Sequence, residues 1–157
     1  MPIEIRDADG GLGNIIRGWG VVTEEEFVVT YKQHLTQFND RFRKYRYSLT
    51  DWTAVTEVKV SIKVVELISE LCKDAWEFHP DAVDAIAADA DITFGLSRMW
   101  EMLTDVISWE TMVFRSRVDA EAWIKERVKE KYGIDDLTFS RFRLQFCYAP
   151  LQPEPAK

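Results

Sequence analysis

The sequence predicts an α/β protein, with a mixed, largely parallel sheet of about five strands and four helices. Three observations lead to this fold class. Two short apolar runs flank a glycine-containing turn at the start of the chain, and further β-type runs then alternate with segments of helical periodicity. Three of those helical segments also begin at residues that favour helix N-termini. Alternation of strands and helices is typical of crossover connections, which place parallel strands beside one another.

Composition and charge restrict the class of protein further. The 157 residues fit a single domain, and the hydrophobic and charged fractions of 46% and 30% exclude a disordered chain. The formal net charge of −7 disfavours nucleic acid and anionic membranes as partners. We expect no membrane span and no signal peptide, because no apolar run is long enough to cross a bilayer. The two cysteines, Cys72 and Cys147, form no disulfide framework, which favours a cytoplasmic location.

The first part of the chain predicts a hairpin followed by a helix. Residues 3–22 read as two short strands, and Asp9-Gly10-Gly11 supplies the positive φ angles that a tight reversal requires. Thr23 and Glu26 have the spacing of a capping box, with Thr23 as the N-cap residue. The first helix is therefore expected directly after the hairpin.

A third strand and a long second helix are predicted next. Tyr45 and Tyr47 alternate with polar residues in a strand pattern that ends near Asp51. Apolar residues at helical spacing predict the second helix over residues 57–77, and His79-Pro80 ends it. Charged residues keep to one narrow face of this helix, so most of its circumference is expected to be buried.

Another strand and helix follow. Residues 82–88 are small and mostly apolar, as expected for a strand that is covered on both faces. Asp89 or Asp91 is predicted to cap the third helix. Apolar residues at alternating spacings of four and three predict its buried face: Ile92, Leu96, Met99, Leu103 and Val106.

The last strand–helix pair is predicted from residue 111 onward. Residues 111–114 read as a buried strand, and Ser116 is expected to cap the fourth helix. This helix carries Trp123 inward, and Gly133 ends it in the conformation that favours glycine.

The C-terminal segment predicts one additional strand. Apolar residues alternate with polar ones over residues 138–148, and such a strand needs a partner for its backbone groups. It is expected either to add to its own sheet or to pair with a second copy in a homodimer. We assign residues 1–148 to a single domain and residues 149–157 to a flexible, proline-rich tail.

Several segments resemble the bacterial SpoIIAA-like branch of the STAS superfamily. They are a small-residue strand, a helix reading F-G-L-S-R-M, a strand ending V-F-R, and a last helix beginning D-A-E-A-W-I, and the resemblance covers roughly residues 15–133. It implies a mixed sheet with helices, an arrangement shared with CRAL-TRIO-like lipid-binding folds. In STAS proteins a D-S-S-G-type loop before the second helix carries a phosphorylatable serine. Residues 51–57 here read D-W-T-A-V-T-E, and this departure argues against a phospho-switch.

We find no catalytic or metal-binding set in the sequence and expect no cofactor and no metal. His34 and His79 have no patterned partner, and Cys72 lies on the apolar stripe of the second helix, where a thiol acts as a small apolar side chain. Four nearby aspartates lack the pattern of a calcium loop, and strand-end and helix-cap roles account for two of the four: Asp81, Asp84, Asp89 and Asp91.

One basic cluster interleaved with aromatics covers residues 41–47, and Arg141 and Arg143 extend it. Such a patch can bind RNA through stacking and phosphate contacts. The acidic net charge and the lack of an RNP-type motif favour the alternative, a solvated strand face whose arginine stems cover apolar surface.

The candidate ligand site lies at the carboxyl ends of the predicted strands, where loops meet helix N-termini. The three loops are residues 51–56, 89–94 and 115–119. They bring together aromatic, hydroxyl and arginine side chains: Trp52, Thr53, Thr56, Phe94, Arg98 and Arg115. This set suits an amphipathic acid, with its carboxylate toward the helix dipoles. The alternative is that the aromatics are core edges and the polar residues are ordinary caps.

Two functions follow as hypotheses. The first is a non-enzymatic cytoplasmic module that binds a small amphipathic ligand or a protein partner. The alternative is a regulatory partner-switching protein of the anti-sigma-factor-antagonist kind, phosphorylated on Thr53 or Thr56 at the start of the second helix. An enzyme ranks third, because the sequence offers no acid–base pair.

Overall fold

The computed structural model describes residues 2–37, 43–77, 81–105 and 109–139, and these form one mixed sheet with helices. The strands are β1 (Ile3–Ala8), β2 (Gly13–Thr23), β3 (Tyr47–Lys59), β4 (Val83–Ala87) and β5 (Glu110–Phe114). The helices are α1 (Glu24–Gln37), α2 (Ile62–Trp76), α3 (Asp91–Thr104) and α4 (Arg117–Tyr132). The strands lie in chain order; β1 is antiparallel to β2, and the other neighbours are parallel. The predicted fold class is confirmed.

The two faces of the sheet carry separate cores. Helices α1, α2 and α3 pack on one face, with Tyr31, Ile68 and Trp100 among the buried side chains. On the other face α4 packs through Ile124 and Val128 against β3 and β4. Every residue of β4 is buried, as predicted for a strand covered on both sides. Because the faces are separate, a cavity in one core does not involve the helix on the other.

The third strand is longer than the sequence predicts, and the second helix is shorter. β3 does not end near Asp51 but continues to Lys59, and α2 begins at Ile62 rather than at residue 57. The distal half of β2 pairs with this extension, as in Val22 opposite Val58. Because β2 forms backbone hydrogen bonds with this extension of β3, the alternating sequence V-T-E-V-K-V adopts an extended conformation.

Side-chain caps confirm three of the predicted helix boundaries. The Thr23 hydroxyl and the Glu26 carboxylate hydrogen-bond each other's backbone N–H groups, which completes the capping box. Ser116 accepts a hydrogen bond from the Asp119 N–H at the start of α4, and Gly133 ends that helix with φ 68°. The predicted cap of the third helix is wrong, because Ala90 occupies the N-cap position and has no side-chain hydrogen bond.

The buried face of α3 is more polar than the predicted apolar stripe, although Leu96, Met99 and Leu103 of that stripe pack against the core as expected and Val106 lies outside the described residues. Thr93, Ser97, Trp100 and Thr104 face inward, whereas Ile92 is 71% exposed. Each buried hydroxyl donates to a carbonyl of its own helix, so burial does not leave it unsatisfied. The helix therefore presents hydroxyl groups to the sheet beside partly buried aliphatic side chains such as Leu96.

The fifth strand is less buried than predicted. β5 lies at one edge of the described sheet, and of its residues only Val113 is buried, while Met112 is 40% exposed. Trp123 of α4, predicted to be core, is partly buried, and its ring lies 5.7 Å from that of Phe114. The outer end of the sheet is thus only partly covered within the described ranges.

The turn between the first two strands is tied to the end of the described chain. Asp9 has φ 50° and is buried, and its carboxylate accepts a 2.5 Å hydrogen bond from the Tyr47 hydroxyl. The same carboxylate accepts hydrogen bonds from the N–H groups of Thr138 and Phe139. We call Asp9, Tyr47, Thr138 and Phe139 the Asp9 cluster. It holds the segment after α4 against the sheet.

Several predictions fall outside the described residues. They concern residues 140–148 of the additional strand, the tail 149–157, and the residues His79, Cys147, Arg141 and Arg143. The described residues 133–139 have no regular secondary structure, although Leu137 and Phe139 are buried. In the ranges that the structure describes, no helix is long and apolar enough to cross a membrane.

Candidate functional site

A cavity of about 90 Å³ lies between the sheet and the helices α1, α2 and α3. Its walls are mostly apolar, and aromatic side chains contribute from several elements. These aromatics are Phe27, Tyr31, Trp52, Trp100 and Trp109. A concave, largely apolar space with a few polar groups is the usual form of a small-molecule site.

Three polar side chains of the cavity come from one row of paired positions across the sheet. Asn14 on β2 is paired with Ser48 on β3, and Ser48 is paired with Asp84 on β4. Because paired positions on neighbouring strands point their side chains to the same face, all three project toward α1–α3. The row places an amide, a hydroxyl and a carboxyl side by side within an otherwise apolar core.

Asp84 is the buried ionisable group at the centre of the site. Burial raises the pKa of its carboxyl to about 7, and hydrogen bonds from Trp100 and Ser48 lower it in part. Among the described residues, no cation contributes to this shift. A carboxyl that changes charge near neutral pH inside a cavity is a typical feature of functional sites.

Helix α1 supplies two further polar side chains, Tyr31 and His34. Burial raises the pKa of Tyr31 well above its ordinary value, so the phenol stays neutral, and it shares a hydrogen bond with Thr50. The amide nitrogen of Asn14 lies 3.3 Å from Nε2 of His34. The amide oxygen of Asn14 has no hydrogen-bond partner in the described part of the chain.

Cys72 of α2 also lines the cavity and is a free, buried thiol. Burial raises its pKa well above the ordinary value, with the nearby Asp84 adding to the effect. The thiolate is the reactive form of cysteine, and it is suppressed here. This agrees with the prediction that Cys72 acts as a small apolar side chain.

The predicted site residues do not form one cluster. Trp52 lines the interior cavity and Phe94 packs against its core, whereas Thr56 is exposed on β3. Arg98 is exposed and pairs with Glu101 on its own helix. Residues near 90 and 115 do meet beside Asp51, but residues 51–56 lie within β3 rather than in a loop, and the predicted side chains point to different places.

The arginines at this edge already have carboxylate partners. Arg115 lies 3.8 Å from the centre of the Phe94 ring and pairs with Asp91 at 2.9 Å. Arg117 pairs with Asp51 at 3.2 Å and also with Glu121. A ligand carboxylate at this edge would therefore have to compete with protein carboxylates for each guanidinium.

The proposed phosphorylation positions are not at a helix start. Thr53 and Thr56 both lie within β3, and the N-cap of α2 is Ser61. The Thr53 hydroxyl donates to Asp51 at 2.6 Å. The positional premise of the phospho-switch hypothesis is wrong, because the extension of β3 moves the helix start to Ile62.

The basic cluster is a structural surface in its described part. Tyr45 and Tyr47 are buried, with exposures of 1% and 0%, so neither ring is available for stacking on a base. The Arg46 guanidinium lies over the Tyr132 ring at 5.0 Å. Arg41 and Phe42 lie outside the described residues.

Sequence reasoning missed the polar row and the inward hydroxyls of α3. Asp84 lies inside β4 and is buried, so it caps no helix. Two signals were present: a single charged residue within an apolar strand, and hydroxyl residues at 93, 97 and 104, which share one helical face. In the ranges described, no group of His, Cys, Asp and Glu side chains could hold a metal.

The structure therefore defines an α/β protein with a mixed, mostly parallel sheet and a cavity between that sheet and three of its helices. No protein-family model matches the chain, and no curated protein matches it. A solved structure to which it is similar is an uncharacterized protein of the DUF3478 family with a SpoIIAA-like fold, from Shewanella loihica PV-4. The two are 16% identical, with a TM-score of 0.45 over 78% of this chain and 91% of the other. A SpoIIAA-like fold is also what the sequence motifs predict.

Proposed function

We propose that this protein is a binding module that holds a small amphipathic molecule in the cavity between the sheet and helices α1–α3. The observation that carries the proposal is the distribution of polarity in the cavity. Apolar and aromatic side chains form the walls, and Asn14, Ser48 and Asp84 form one polar row. An amphipathic ligand satisfies both parts, since its chain contacts the walls and its head group contacts the row.

The size of the cavity limits the buried part of the ligand. At about 90 Å³ it is smaller than the ~150 Å³ cavity known to hold benzene in another protein. A short alkyl chain fits this volume better than an aromatic ring does. We therefore take a four-carbon chain as the size class for the first test.

An interior site favours a small molecule over a protein partner. The polar row is buried, with Asn14 and Asp84 only 2% and 3% exposed. A protein segment reaches such groups only if the helices separate from the sheet. A small molecule needs no such rearrangement of the core.

The test is a titration of the ¹⁵N-labelled full chain with 1-butanol, followed by amide chemical shifts. We expect saturable shifts at residues that line the cavity, such as Ile16, Ser48 and Ile86. An absence of saturable shifts, or shifts spread evenly over the surface, would contradict the proposal.

A cavity-filling variant and a matched control make the test specific. Ser97→Leu places a larger apolar side chain in the cavity, and the hydroxyl that it removes bonds only to the carbonyl of Thr93 on the same helix. Thr36→Leu removes the same kind of hydroxyl, bonded to the carbonyl of Lys32, from an exposed position on α1. We expect Ser97→Leu to abolish the butanol shifts and Thr36→Leu to keep them. Equal binding by both variants would place the ligand elsewhere.

A further inference from the structure

Three hydroxyl groups that face the cavity already donate hydrogen bonds to the protein. The hydroxyl of Thr93 donates to the carbonyl of Ala90 at 2.9 Å, and that of Ser97 donates to the carbonyl of Thr93 at 2.7 Å. The hydroxyl of Ser48 donates to Asp84. An incoming ligand therefore meets these three groups as acceptors rather than as donors.

Two acceptors remain on the polar row. The amide oxygen of Asn14, a residue only 2% exposed, has no hydrogen-bond partner among the described residues. The Asp84 carboxyl accepts from Ser48 and Trp100, and two carboxylate oxygens have about four acceptor positions. A ligand that carries N–H groups can donate hydrogen bonds to both of these side chains.

From this arrangement we infer that the ligand is an alkylammonium compound, whose cationic head pairs with the Asp84 carboxylate beside the Asn14 amide oxygen. The inference rests on the proposed function and names the head group of the same ligand. A carboxylate or phosphate head is disfavoured, because it would bring a second negative charge next to Asp84 inside a poorly solvated space. Charge pairing in such a space is strong, and no Lys or Arg lines the cavity in the described part of the chain.

The aromatic walls accommodate the alkyl part of the ligand. Tyr31 and Trp100 lie on helices that cover the row, and both residues line the cavity. An alkyl chain buries apolar surface against such side chains while its head group stays at the row.

The inference predicts pH-dependent binding, to which other titratable groups of the cavity could also contribute. Tyr31 from α1 and Cys72 from α2 stay neutral near pH 7, because burial raises both pKa values. Helix α3 contributes Trp100 and hydroxyls, which do not titrate in this range. His34 from α1 is the remaining titratable side chain of the cavity. The experiment must therefore separate Asp84 from His34.

The experiment compares n-butylamine, 1-butanol and butyrate, which share one chain and differ in the head group. At about pH 8 the amine is a cation, as a lysine side chain is, and Asp84 is mostly ionised. We expect the amine to bind at least about tenfold more tightly than the alcohol, and butyrate to bind most weakly. At about pH 5.5 the advantage of the amine over the alcohol should shrink, because Asp84 becomes protonated.

The variant Asp84→Asn keeps the shape of the side chain and removes its charge. It should lose the preference for butylamine and the pH dependence of that preference, while it still binds 1-butanol. A pH dependence that persists in Asp84→Asn but disappears in His34→Gln would overturn the assignment to Asp84. The pH dependence of the wild-type protein tests the same point without relying on any variant.

The outcomes separate this inference from the proposed function. If 1-butanol binds in the cavity and butylamine binds no better at either pH, the alkylammonium inference is wrong and the proposed function stands. If none of the three probes binds, both are wrong. A butyrate affinity above that of butylamine also overturns the inference, since it shows a positively charged subsite.

Discussion

Ser48 and Asp84 face each other from adjacent parallel strands, and the Ser48 side chain donates a hydrogen bond to the buried Asp84 carboxyl. The bond favours the charged carboxylate, yet burial has the larger effect and raises the pKa to about 7. The pair therefore places a group that changes charge near neutrality in the middle of the core. The consequences for stability and for binding are both measurable.

The first prediction concerns stability against pH. The folded protein holds the Asp84 proton more tightly than the unfolded chain does, because its pKa is raised to about 7. The free energy of unfolding should therefore fall as the pH rises from about 4 to about 7, by up to about 4 kcal/mol. Asp84→Asn should remove this fall, so that the variant is the more stable protein at pH 8. Urea unfolding at pH 5 and pH 8 measures both slopes.

An exposed aspartate provides the control for that measurement. Asp74 on α2 is exposed, and Asp74→Asn should leave the slope of the wild-type protein unchanged. If Asp84→Asn and the wild-type protein lose the same stability between pH 5 and pH 8, Asp84 does not titrate in this interval.

A second prediction compares two valines on α4. Val128 is completely buried, while Val118 on the same helix is 75% exposed. Val128→Ala should lower the free energy of unfolding by about 2 kcal/mol, because it leaves a space in the core, and Val118→Ala should change it by less than about 0.5 kcal/mol. Denaturant unfolding of the two variants gives the comparison. Equal losses would show that α4 packs through a different face.

The third prediction concerns the Asp9 cluster. Tyr47 donates to buried Asp9, and Tyr45 donates to Asp7 at 2.7 Å in a less buried environment. Tyr47→Phe should cost about 2 kcal/mol, because it removes a donor from a buried carboxylate, and Tyr45→Phe should cost about 1 kcal/mol or less. Thermal or urea unfolding of both variants ranks them. A larger loss for Tyr45→Phe would contradict the assigned role of Asp9.

The fourth prediction separates two parts of the C-terminal segment. A chain that ends at Gly133 loses buried Leu137 and Phe139 together with the hydrogen bonds from Thr138 to Asp9, so we expect a clear loss of stability. A chain that ends at Phe139 keeps these contacts and lacks residues 140–157, which contain most of the predicted strand. If that strand adds to the sheet or forms a dimer, the chain that ends at Phe139 should also aggregate or change its oligomeric state.

Size-exclusion chromatography and denaturant unfolding of both truncated chains measure these effects. Full stability and an unchanged oligomeric state in the chain ending at Phe139 would show that residues 140–148 are only a tail. Full stability in the chain ending at Gly133 would contradict the role given to the Asp9 cluster.

Local signals were sufficient for most of the fold. The Thr23 capping box, the Ser116 cap and Gly133 all depend on residues within one helical turn, and the structure confirms each. The alternation of strands and helices likewise identified a mostly parallel sheet. Such features are encoded by near neighbours in the chain, so they can be read without knowledge of the packing.

Features that depend on distant partners could not be read in this way. The extension of β3 forms because β2 pairs with it, and that pairing joins segments separated by a whole helix. The polar row that faces α3 likewise exists only once the strands are in register. The cavity and its carboxyl are consequences of that register, which a single sequence does not specify.

The Asp9 cluster has a consequence for how the chain folds. Its hydrogen bond from Thr138 joins residues 129 positions apart, so its formation closes a loop that contains every helix. Contacts of such high sequence separation form late, since the entropy of a long loop must be lost before they contribute. During synthesis on the ribosome, the first hairpin emerges long before its C-terminal partner exists. The Asp9 carboxylate therefore cannot complete its hydrogen bonds before residues 138 and 139 have been synthesised, and native burial of the hairpin turn follows the docking of these two residues.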